Sequence, residues 1–189
     1  LCPMDWLPLV AHLPQQFPDT VIDIQTGEGD SPLRKLVTEE VDLAVAVGPA
    51  TDKYVMDINR QRLGEIEFVF VIQASRLSAN LDDDLKRIPH LVVTDFDDPH
   101  AADAVGESIP YWRVSDHKTK VAMIAAGLGW GAVPRWLAAS ALADGSLASF
   151  HYRGFRDNIC HAVYLCHWRP LPLGPVAASI WQRGSAADS

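Results

Sequence analysis

Basic residues are too few in this chain to form a nucleic-acid-binding face. The 189 residues carry 24 acidic and 16 basic side chains, giving a formal net charge of −8. A domain that binds the DNA backbone directly presents clustered Lys and Arg, whereas Arg34-Lys35 and Lys118-Lys120 stand isolated. We therefore expect that this chain does not bind nucleic acid by itself.

Cysteine and long hydrophobic runs are also scarce. Three cysteines, an odd number, argue against a disulfide framework and fit a reducing compartment. The uncharged run over residues 122–134 is too short and too rich in glycine for a membrane span of ~20 residues. No basic segment followed by an apolar stretch opens the sequence, so no signal peptide is expected. These features predict a cytoplasmic protein with no membrane segment.

A phosphate-binding glycine loop is missing as well. The glycines of a dinucleotide fingerprint follow a strand and open a helix, so that amide N–H groups face the pyrophosphate. Here Gly127 and Gly129 follow an amphipathic helix, and Gly131 begins a short apolar strand. Glycine is common just after a helix because left-handed backbone geometry costs it little. The glycines therefore predict a helix end, and no cofactor is expected.

Helical periodicity and β-branched runs alternate along the chain. The main predicted elements are a helix over 4–16, a strand at Val21–Gln25, a helix capped at Asp30 or Ser31, strands at Val41–Val47, Phe68–Ile72 and Leu91–Val93, a helix capped at Ser115 or Asp116, a strand at His161–His167 and a helix at Pro175–Trp181. This alternation indicates an α/β protein with mainly parallel sheets. The stretch Tyr54–Ile72 is too long for one flat strand, so we expect it to bend or to cross between lobes. Asp97–Glu107 is expected to be a loop.

Short motifs in a characteristic order run along almost the whole chain. They are Phe17-Pro18-Asp19, Thr26-Gly27, Leu33 to Val37, Asp42 to Val45, Phe68 to Val71, Ala125 to Gly129 before Val133-Pro134, and finally Leu142, Gly145 and Leu147. Their order and spacing resemble the effector-binding domain of LysR-type transcriptional regulators.

The resemblance implies a particular fold. It implies an α/β protein of two Rossmann-like lobes, similar to type 2 periplasmic binding proteins, with an effector cleft between the lobes. Lobe one is expected to hold residues 1–66 and 148–189, and lobe two residues 67–147. The family's N-terminal winged helix-turn-helix domain and the first strand of lobe one have no counterpart in this sequence.

The resemblance also implies where an effector binds. Loops and helix N-termini that meet at the cleft suit anions, because free N–H groups and the helix dipole attract negative charge. The matching positions are Cys2, Pro3, Met4, Thr26, Gly27 and Glu28 in lobe one, and Ser75, Arg76, Ser115, Asp116 and His117 in lobe two. Ser115 and Asp116 can equally serve as helix caps. Trp130 is a further candidate, either in the cleft wall or in the core. Acidic Glu28 and Asp116 favour a polar neutral, aromatic or cationic effector over a simple carboxylate.

Three groupings of reactive side chains are interpreted as structural. Cys160-His161 and Cys166-His167 lie on a predicted strand, which would hold the two cysteines ~20 Å apart and prevent one tetrahedral metal site. Ser115, Asp116 and His117 are sequence neighbours whose side chains diverge, whereas a catalytic triad is a spatial arrangement. Asp82 to Asp84 begin a helix, where carboxylates complement the dipole. The sequence predicts neither a metal site nor an enzyme.

Together these features predict the ligand-sensing half of a transcription regulator. The expected partners are a small-molecule effector, a second copy in a homodimer (a tetramer for the full-length protein), and promoter DNA through the N-terminal domain alone. Two alternatives remain open: a transport-type solute-binding protein for a small polar metabolite, which would require an export signal, and an enzyme on the same two-lobe scaffold.

Overall fold

Two compact units make up the chain. The structure, a computed structural model, describes residues 6–52, 54, 56–94, 110–152 and 159–186. Unit 1 consists of Leu1–Ile66 with His161–Ser189, and unit 2 consists of Glu67–Cys160.

Helices and strands alternate through the described residues. In chain order they are α1 (Leu7–Val10), α2 (Leu13–Gln16), α3 (Ser31–Val37), β1 (Ala44–Val47), α4 (Gly48–Asp52), β2 (Ile58–Gln73), a 3-10 turn (Ala74–Arg76), α5 (Leu81–Leu85), β3 (His90–Val93), β4 (Tyr111–Val114), α6 (His117–Ala125), β5 (Trp130–Pro134), α7 (Arg135–Ala143), β6 (Leu147–Ser149), β7 (Ile159–Trp168) and α8 (Pro175–Ala186). None of these helices is long and apolar enough to cross a membrane.

Unit 1 is built on β1, β7 and the first part of β2. β1 pairs antiparallel with β7, and the strand order is β1-β7-β2. Leu33 and Leu36 of α3 are fully buried in one cluster with Ala44 and Ala46 of β1. The spacing of the two leucines puts them on one face of the helix, so α3 covers the face of β1 that carries the two alanines.

Unit 2 contains a mixed sheet with an apolar cluster on each face. β2 pairs antiparallel with β5 and β6, whereas β3 pairs parallel with both β4 and β5. Leu91 and Val133 contribute to the cluster that includes Ile124 of α6. Trp130 and Phe70 contribute to the other cluster, with Leu85 of α5. The expectation of mainly parallel pairing is therefore wrong for the described strands, because β2 runs opposite to β5.

The opening helix is shorter than its periodicity suggested. A single helix was expected over residues 4–16, but the structure has α1 and α2 with a turn at Ala11 and His12. Pro8 and Pro14 each lie in the first turn of one helix. Proline lacks a backbone N–H and its ring clashes with the preceding turn, so Pro14 cannot lie inside a continuous helix.

The expected strand at Val21–Gln25 does not form. Residues 20–28 have no regular secondary structure, and Val21 is 93% exposed, with Ile22 and Ile24 also exposed. A β-branched run becomes a strand only when a neighbouring strand accepts and donates its backbone hydrogen bonds. The expected loop at Asp97–Glu107 lies outside the described residues.

Candidate functional site

The carboxyl ends of parallel strands meet at the start of α6. Val93 of β3 lies opposite Val114 of β4, so Thr94 and Ser115, the residues that follow the two strands, lie side by side. β5 runs parallel to β3 and therefore ends at the same edge. Phe68, close to the point where β2 enters unit 2, lies opposite the last residue of β5. Ligands of open α/β sheets bind at such carboxyl ends.

Asp116 caps α6, as the sequence predicted. Its Oδ1 accepts a hydrogen bond from the Thr119 backbone N at 2.8 Å, and its Oδ2 accepts one from Thr119 Oγ1 at 2.7 Å. The hydroxyl of Ser115 donates to Oδ2 at 3.2 Å. These bonds, the one from the Thr119 N–H above all, hold the pKa of Asp116 below its usual range. Both carboxylate oxygens are thus engaged in capping the helix.

His117 begins α6 and packs on the aromatic ring of Phe68. The two ring centroids lie 5.5 Å apart with the planes at 60°. Burial, and next the nearby ammonium of Lys120, lower the pKa of His117 to about 4, although Asp116 acts in the opposite direction. The imidazole is therefore neutral near pH 7 and is suited to hydrogen bonding rather than to ion pairing.

Lys120 lies one helical turn further along α6 and is only 4% exposed. Burial lowers the pKa of its ammonium to about 7. The absence of a side chain at Gly131 makes room for it, since a Cβ there would lie 2.9 Å from Lys120 Cε and 2.8 Å from the carbonyl oxygen of Leu91. A buried ammonium is costly, which makes this residue a candidate for function.

Thr94 and Arg113 form a second polar group at the same edge of the sheet. Thr94 is buried, and its Oγ1 accepts a hydrogen bond from Arg113 Nε at 3.0 Å. Arg113 belongs to β4 and Thr94 directly follows β3, so the bond ties the ends of the two strands together.

Ser75 and Arg76 lie elsewhere on unit 2. The neighbouring side chain of Gln73 donates from Nε2 to the carbonyl oxygen of Ala125 at 3.0 Å, and Ser75 Oγ donates to Gln73 Oε1 at 3.3 Å. Arg76 Nε lies 3.2 Å from the point that a Cβ at Gly127 would occupy. The two residues therefore lie at the C-terminal end of α6, roughly 13 Å of helix from its start.

Trp130 lies in the core of unit 2. Its side chain is 1% exposed, and its indole Nε1 donates to the carbonyl oxygen of Ile88 at 3.0 Å. The ring of His90 stacks on it, with centroids 4.4 Å apart. Trp130 opens β5, at the end of the strand opposite to Ser115 and His117. Of the two sequence interpretations of Trp130, this placement favours the core.

The loop Thr26-Gly27-Glu28 precedes α3 in unit 1. Thr26 and Gly27 are exposed, and Glu28 is half-buried. The Glu28 carbonyl oxygen accepts a hydrogen bond from the Ser31 backbone N at 3.2 Å. A Cβ at Gly27 would lie 3.1 Å from Ser31 Oγ, so the loop backbone runs close to the first residue of the helix. Cys2, Pro3 and Met4 lie outside the described residues.

Sequence reasoning missed Lys120. Its signal was position: Lys120 follows His117 by three residues and precedes Ile124 by four, which puts all three on the inner face of α6. A lysine at a core-facing position of a helix was therefore visible in the sequence.

The cysteine–histidine pairs of β7 are not gathered into a metal site. Cys160 is exposed, whereas Cys166 is buried, and burial raises the pKa of the Cys166 thiol to about 12. A thiol with such a pKa is a poor metal ligand, because the thiolate is the coordinating form. Across the part of the chain that the structure describes, no group of three or more His, Cys, Asp or Glu side chains could hold a metal ion.

Solved structures with the same fold come from bacterial regulators. The chain is similar to the regulatory domain of MetR from N. meningitidis, with TM-score 0.67 and 17% identity over 97% of this chain and 88% of that one. It is similar to the regulatory domain of CcmR from Synechocystis PCC6803, solved in complex with 2-PG, with TM-score 0.68 and 14% identity over 95% and 89% of the two chains.

A full-length regulator matches over part of its length. LysG from Corynebacterium glutamicum, solved with bound effector Arg, gives TM-score 0.65 and 19% identity over 96% of this chain and 63% of LysG. The chain thus spans about three fifths of that regulator. A comparison with curated protein sequences gives no match.

The family itself follows from the sequence as well as from the fold. The expected fold class, α/β with two Rossmann-like lobes of the type 2 periplasmic-binding-protein kind, is confirmed by these neighbours. The family model described as the LysR substrate binding domain matches residues 2–183, nearly the whole chain. The chain therefore belongs to the LysR substrate binding domain family.

Proposed function

We propose that this chain binds a small-molecule effector, with candidate contact residues Thr26, Gly27 and Glu28 in unit 1 and Ser115, Asp116 and His117 in unit 2, and so regulates transcription. The observation that carries the proposal is the meeting of strand ends with the start of α6, at the end of unit 2 where β2 enters. Each of the two loops precedes a helix, and the start of a helix offers donors to a polar ligand. Solved relatives hold small molecules, Arg in LysG and 2-PG in CcmR.

Effector binding regulates by shifting a conformational equilibrium. A ligand can shift two states of the lobes only through its different affinity for them. A DNA-binding domain elsewhere in the full-length regulator would convert that shift into altered DNA contacts. The acidic chain has 24 acidic against 16 basic residues, so the isolated domain should give no shift of duplex DNA in a low-salt gel assay. Sequence-specific DNA binding by this domain alone would contradict the assignment of the DNA contacts to another domain.

The proposal treats the chain as a cytoplasmic binding domain and not as an enzyme. Ser115, Asp116 and His117, which are neighbours in sequence, are engaged otherwise: Asp116 accepts from Thr119 and Ser115, and the His117 ring packs on Phe68. A nucleophile needs a base within hydrogen-bonding reach and an oriented partner for that base. The capping bonds of Asp116 hold it in a different role.

A homodimer is part of the proposal, with a tetramer for the full-length regulator. The exposed apolar side chains of Val21, Ile22 and Ile24 support it, since contiguous exposed apolar surface marks interaction sites. Closed twofold assembly is also the commonest oligomeric arrangement. Sedimentation at increasing concentration should show a dimer, and a monomer at every concentration would contradict it.

A thermal-shift screen against a metabolite library tests the proposal. A ligand at 100 times its dissociation constant adds ~2.7 kcal/mol to the free energy of unfolding. Thr26→Ala and Ser115→Ala should each weaken binding of a hit by roughly 0.5–1.5 kcal/mol, if each removes one hydrogen bond to the ligand. The matched controls Thr20→Ala and Ser140→Ala alter exposed residues outside the two loops and should leave affinity unchanged. Unchanged affinity in both loop variants would contradict the proposed site.

A further inference from the structure

Lys120 is a buried cation without a counter-ion among the residues that the structure describes. Only 4% of the residue is exposed, and burial is the cause of its lowered pKa, with no compensating carboxylate. Burying an ammonium is strongly unfavourable unless an anion or several acceptors surround it. Among the described residues, α6 therefore holds a positive charge with no carboxylate paired to it.

Within the part of the chain that the structure describes, the groups that face Lys120 supply no negative charge. The titratable side chains on α6 and on the elements packed against it are His117 and Lys118 on α6, His90 on β3, Tyr111 and Arg113 on β4, and Arg135 and Asp144 on or beside α7. Burial, and next the ammonium of Lys120, lower the pKa of both His90 and His117 to about 4, so both imidazoles are neutral near pH 7. Arg135 pairs with Glu67 at 2.7 Å, and Asp144 accepts from the Ser146 backbone.

Asp116, the nearest carboxylate in sequence, is already engaged. Its two oxygens accept hydrogen bonds from Thr119 and Ser115, and these bonds cap α6. Because the carboxylate of Asp116 is used to cap the helix, its presence no longer disfavours a negatively charged effector.

Lys120 lies one helical turn along α6 from the residues of the candidate site. For Lys120 the preceding turn is that of Ser115, Asp116 and His117, where the parallel strands also end. Its Cε and Nζ lie 2.9 and 3.1 Å from the point that a Cβ at Gly131 would occupy, near the start of β5, and its four methylene groups allow the ammonium to move towards the start of α6 when a ligand binds.

We infer that Lys120 is the counter-ion for a carboxylate or phosphate group of the effector. This inference rests on the proposed function and revises the expectation, drawn from the sequence, of a neutral or cationic effector. The apolar surroundings that make the free ammonium costly also strengthen its attraction to an anion, because the local dielectric constant is low. Binding should therefore favour the protonated amine and take up protons from solution.

The inference predicts a specific pH dependence. The free chain holds the pKa of Lys120 at about 7, so the amine is mostly neutral at higher pH. Affinity for an anion should fall by about tenfold for each pH unit above that value, until contacts that do not depend on the charge of Lys120 dominate the binding free energy. Inorganic phosphate and malonate serve as probes, and comparing them distinguishes a phosphate site from a carboxylate site.

Lysine labelled at Cε allows Lys120 to be observed directly by NMR. The chain has five lysines, Lys35, Lys53, Lys86, Lys118 and Lys120, so assignment by single substitution is practical. Phosphate or malonate should move the titration midpoint of Lys120 upwards and leave the other four unchanged. Lys120→Met should lower probe affinity by at least about tenfold, whereas exposed Lys118→Met should change it less than about twofold. Sodium chloride at equal ionic strength controls for screening.

Each outcome decides the inference separately from the proposed function. A Lys120 midpoint unmoved by both probes, or equal losses in Lys118→Met and Lys120→Met, would overturn it. A hit from the metabolite screen that is neutral or cationic and binds Lys120→Met as tightly as the original chain would also overturn it, while the proposed function would stand. Methionine matches the length of the lysine stem, so loss of the fold is not expected in this variant.

Discussion

The two units differ in the surroundings of a positively charged side chain that lies between their helices and strands. In unit 1, Arg60 donates to Thr51 Oγ1 at 2.8 Å, pairs with Asp52 at 3.2 Å and lies over the Tyr164 ring at 4.8 Å. In unit 2, Lys120 is far more buried and has no such partners among the described residues. The first arrangement stabilises a fold, and the second is expected of a residue that awaits a ligand.

The apolar cores differ as well. In unit 2, clusters lie on both faces of the sheet, around Leu91 on one side and Trp130 on the other. Unit 1 has one such cluster in the described residues, around Leu33 and Leu36, and leaves Val21 almost fully exposed. Unit 2 therefore has the better-filled core even though it also contains the unpaired charge.

Truncating the core of unit 2 should have the largest effect. Trp130→Ala removes a ring that packs against Phe70 and His90 and should lower the free energy of unfolding by about 3–5 kcal/mol. Trp136→Ala is the matched control, because that tryptophan is 37% exposed on α7, and it should cost less than about 1 kcal/mol. Denaturant titration measures both. Similar losses of stability in the two variants would contradict the comparison, because they would mean that Trp130 does not lie in the core.

Removing the charge of Lys120 should change the free energy of unfolding in the opposite direction, towards greater stability. Lys120→Met replaces a costly ammonium with an apolar chain, so the free energy of unfolding at pH 7 should rise, on the order of 2–4 kcal/mol. The pKa of Lys120 falls from 10.5 to about 7 in the folded chain, so between those values the unfolded chain binds more protons. Stability of the original chain should therefore rise from pH 7 towards pH 10.5, and this rise should be smaller in Lys120→Met.

Arg60→Met provides the contrast from unit 1. It removes the hydrogen bond to Thr51 and the pair with Asp52, so it should destabilise the chain by a modest amount, about 1 kcal/mol. If Lys120→Met, measured beside Arg60→Met, is also less stable than the original chain, then Lys120 has a structural partner. The two units would then not differ in the pairing of these two charges.

Capping of α6 should have a smaller effect. Asp116→Ala removes the acceptor of the Thr119 N–H and should cost ~1 kcal/mol, whereas Asp116→Asn keeps a capping side chain and should cost less. The folded chain lowers the pKa of Asp116, so the stabilisation is present above the unfolded pKa and is lost as pH falls through the lower, folded value. Urea titrations at neutral and acid pH test this. An alanine variant as stable as the original would contradict the capping role.

The smallest change in folding should come from the exposed segment of unit 1. Val21→Ser alters a side chain that is 93% exposed, so the free energy of unfolding should change by less than about 0.5 kcal/mol. If the segment takes part in the proposed dimer, sedimentation should nevertheless show weaker self-association. A large loss of stability in dilute solution, where the chain is monomeric, would show instead that Val21 packs within its own chain.

The sequence predicted unit 2 better than unit 1 for a physical reason. The apolar runs at Phe68–Ile72 and Leu91–Val93 became strands because neighbouring strands satisfy their backbone groups. Gly127, with φ +77, closes α6 as its position predicted. The run Val21–Gln25 has similar composition but pairs with no strand among the described residues, and composition alone does not reveal whether a partner exists.

The candidate site was only partly visible in the sequence. Capping by Asp116 follows from residue type and its place before an amphipathic helix. The burial of Lys120 depends on the space left by Gly131 on a strand eleven residues away, and sequence periodicity does not report such tertiary contacts. Ser75 and Arg76 were grouped with Ser115 because the family resemblance matches both to cleft loops, but β2 runs antiparallel to β5, so β2 ends at the opposite edge of the sheet.

Hydrogen exchange with a hit from the metabolite screen tests the central claim most directly. The claim is that the residues proposed to bind the effector are Thr26-Gly27-Glu28 and Ser115-Asp116-His117. Ligand binding should slow amide exchange in the peptides that contain residues 26–31 and 115–120 together, and this protection should weaken in both peptides when either Thr26→Ala or Ser115→Ala is introduced. Protection that is confined to other segments, or that appears in one loop and never in the other at saturating ligand, would contradict the account.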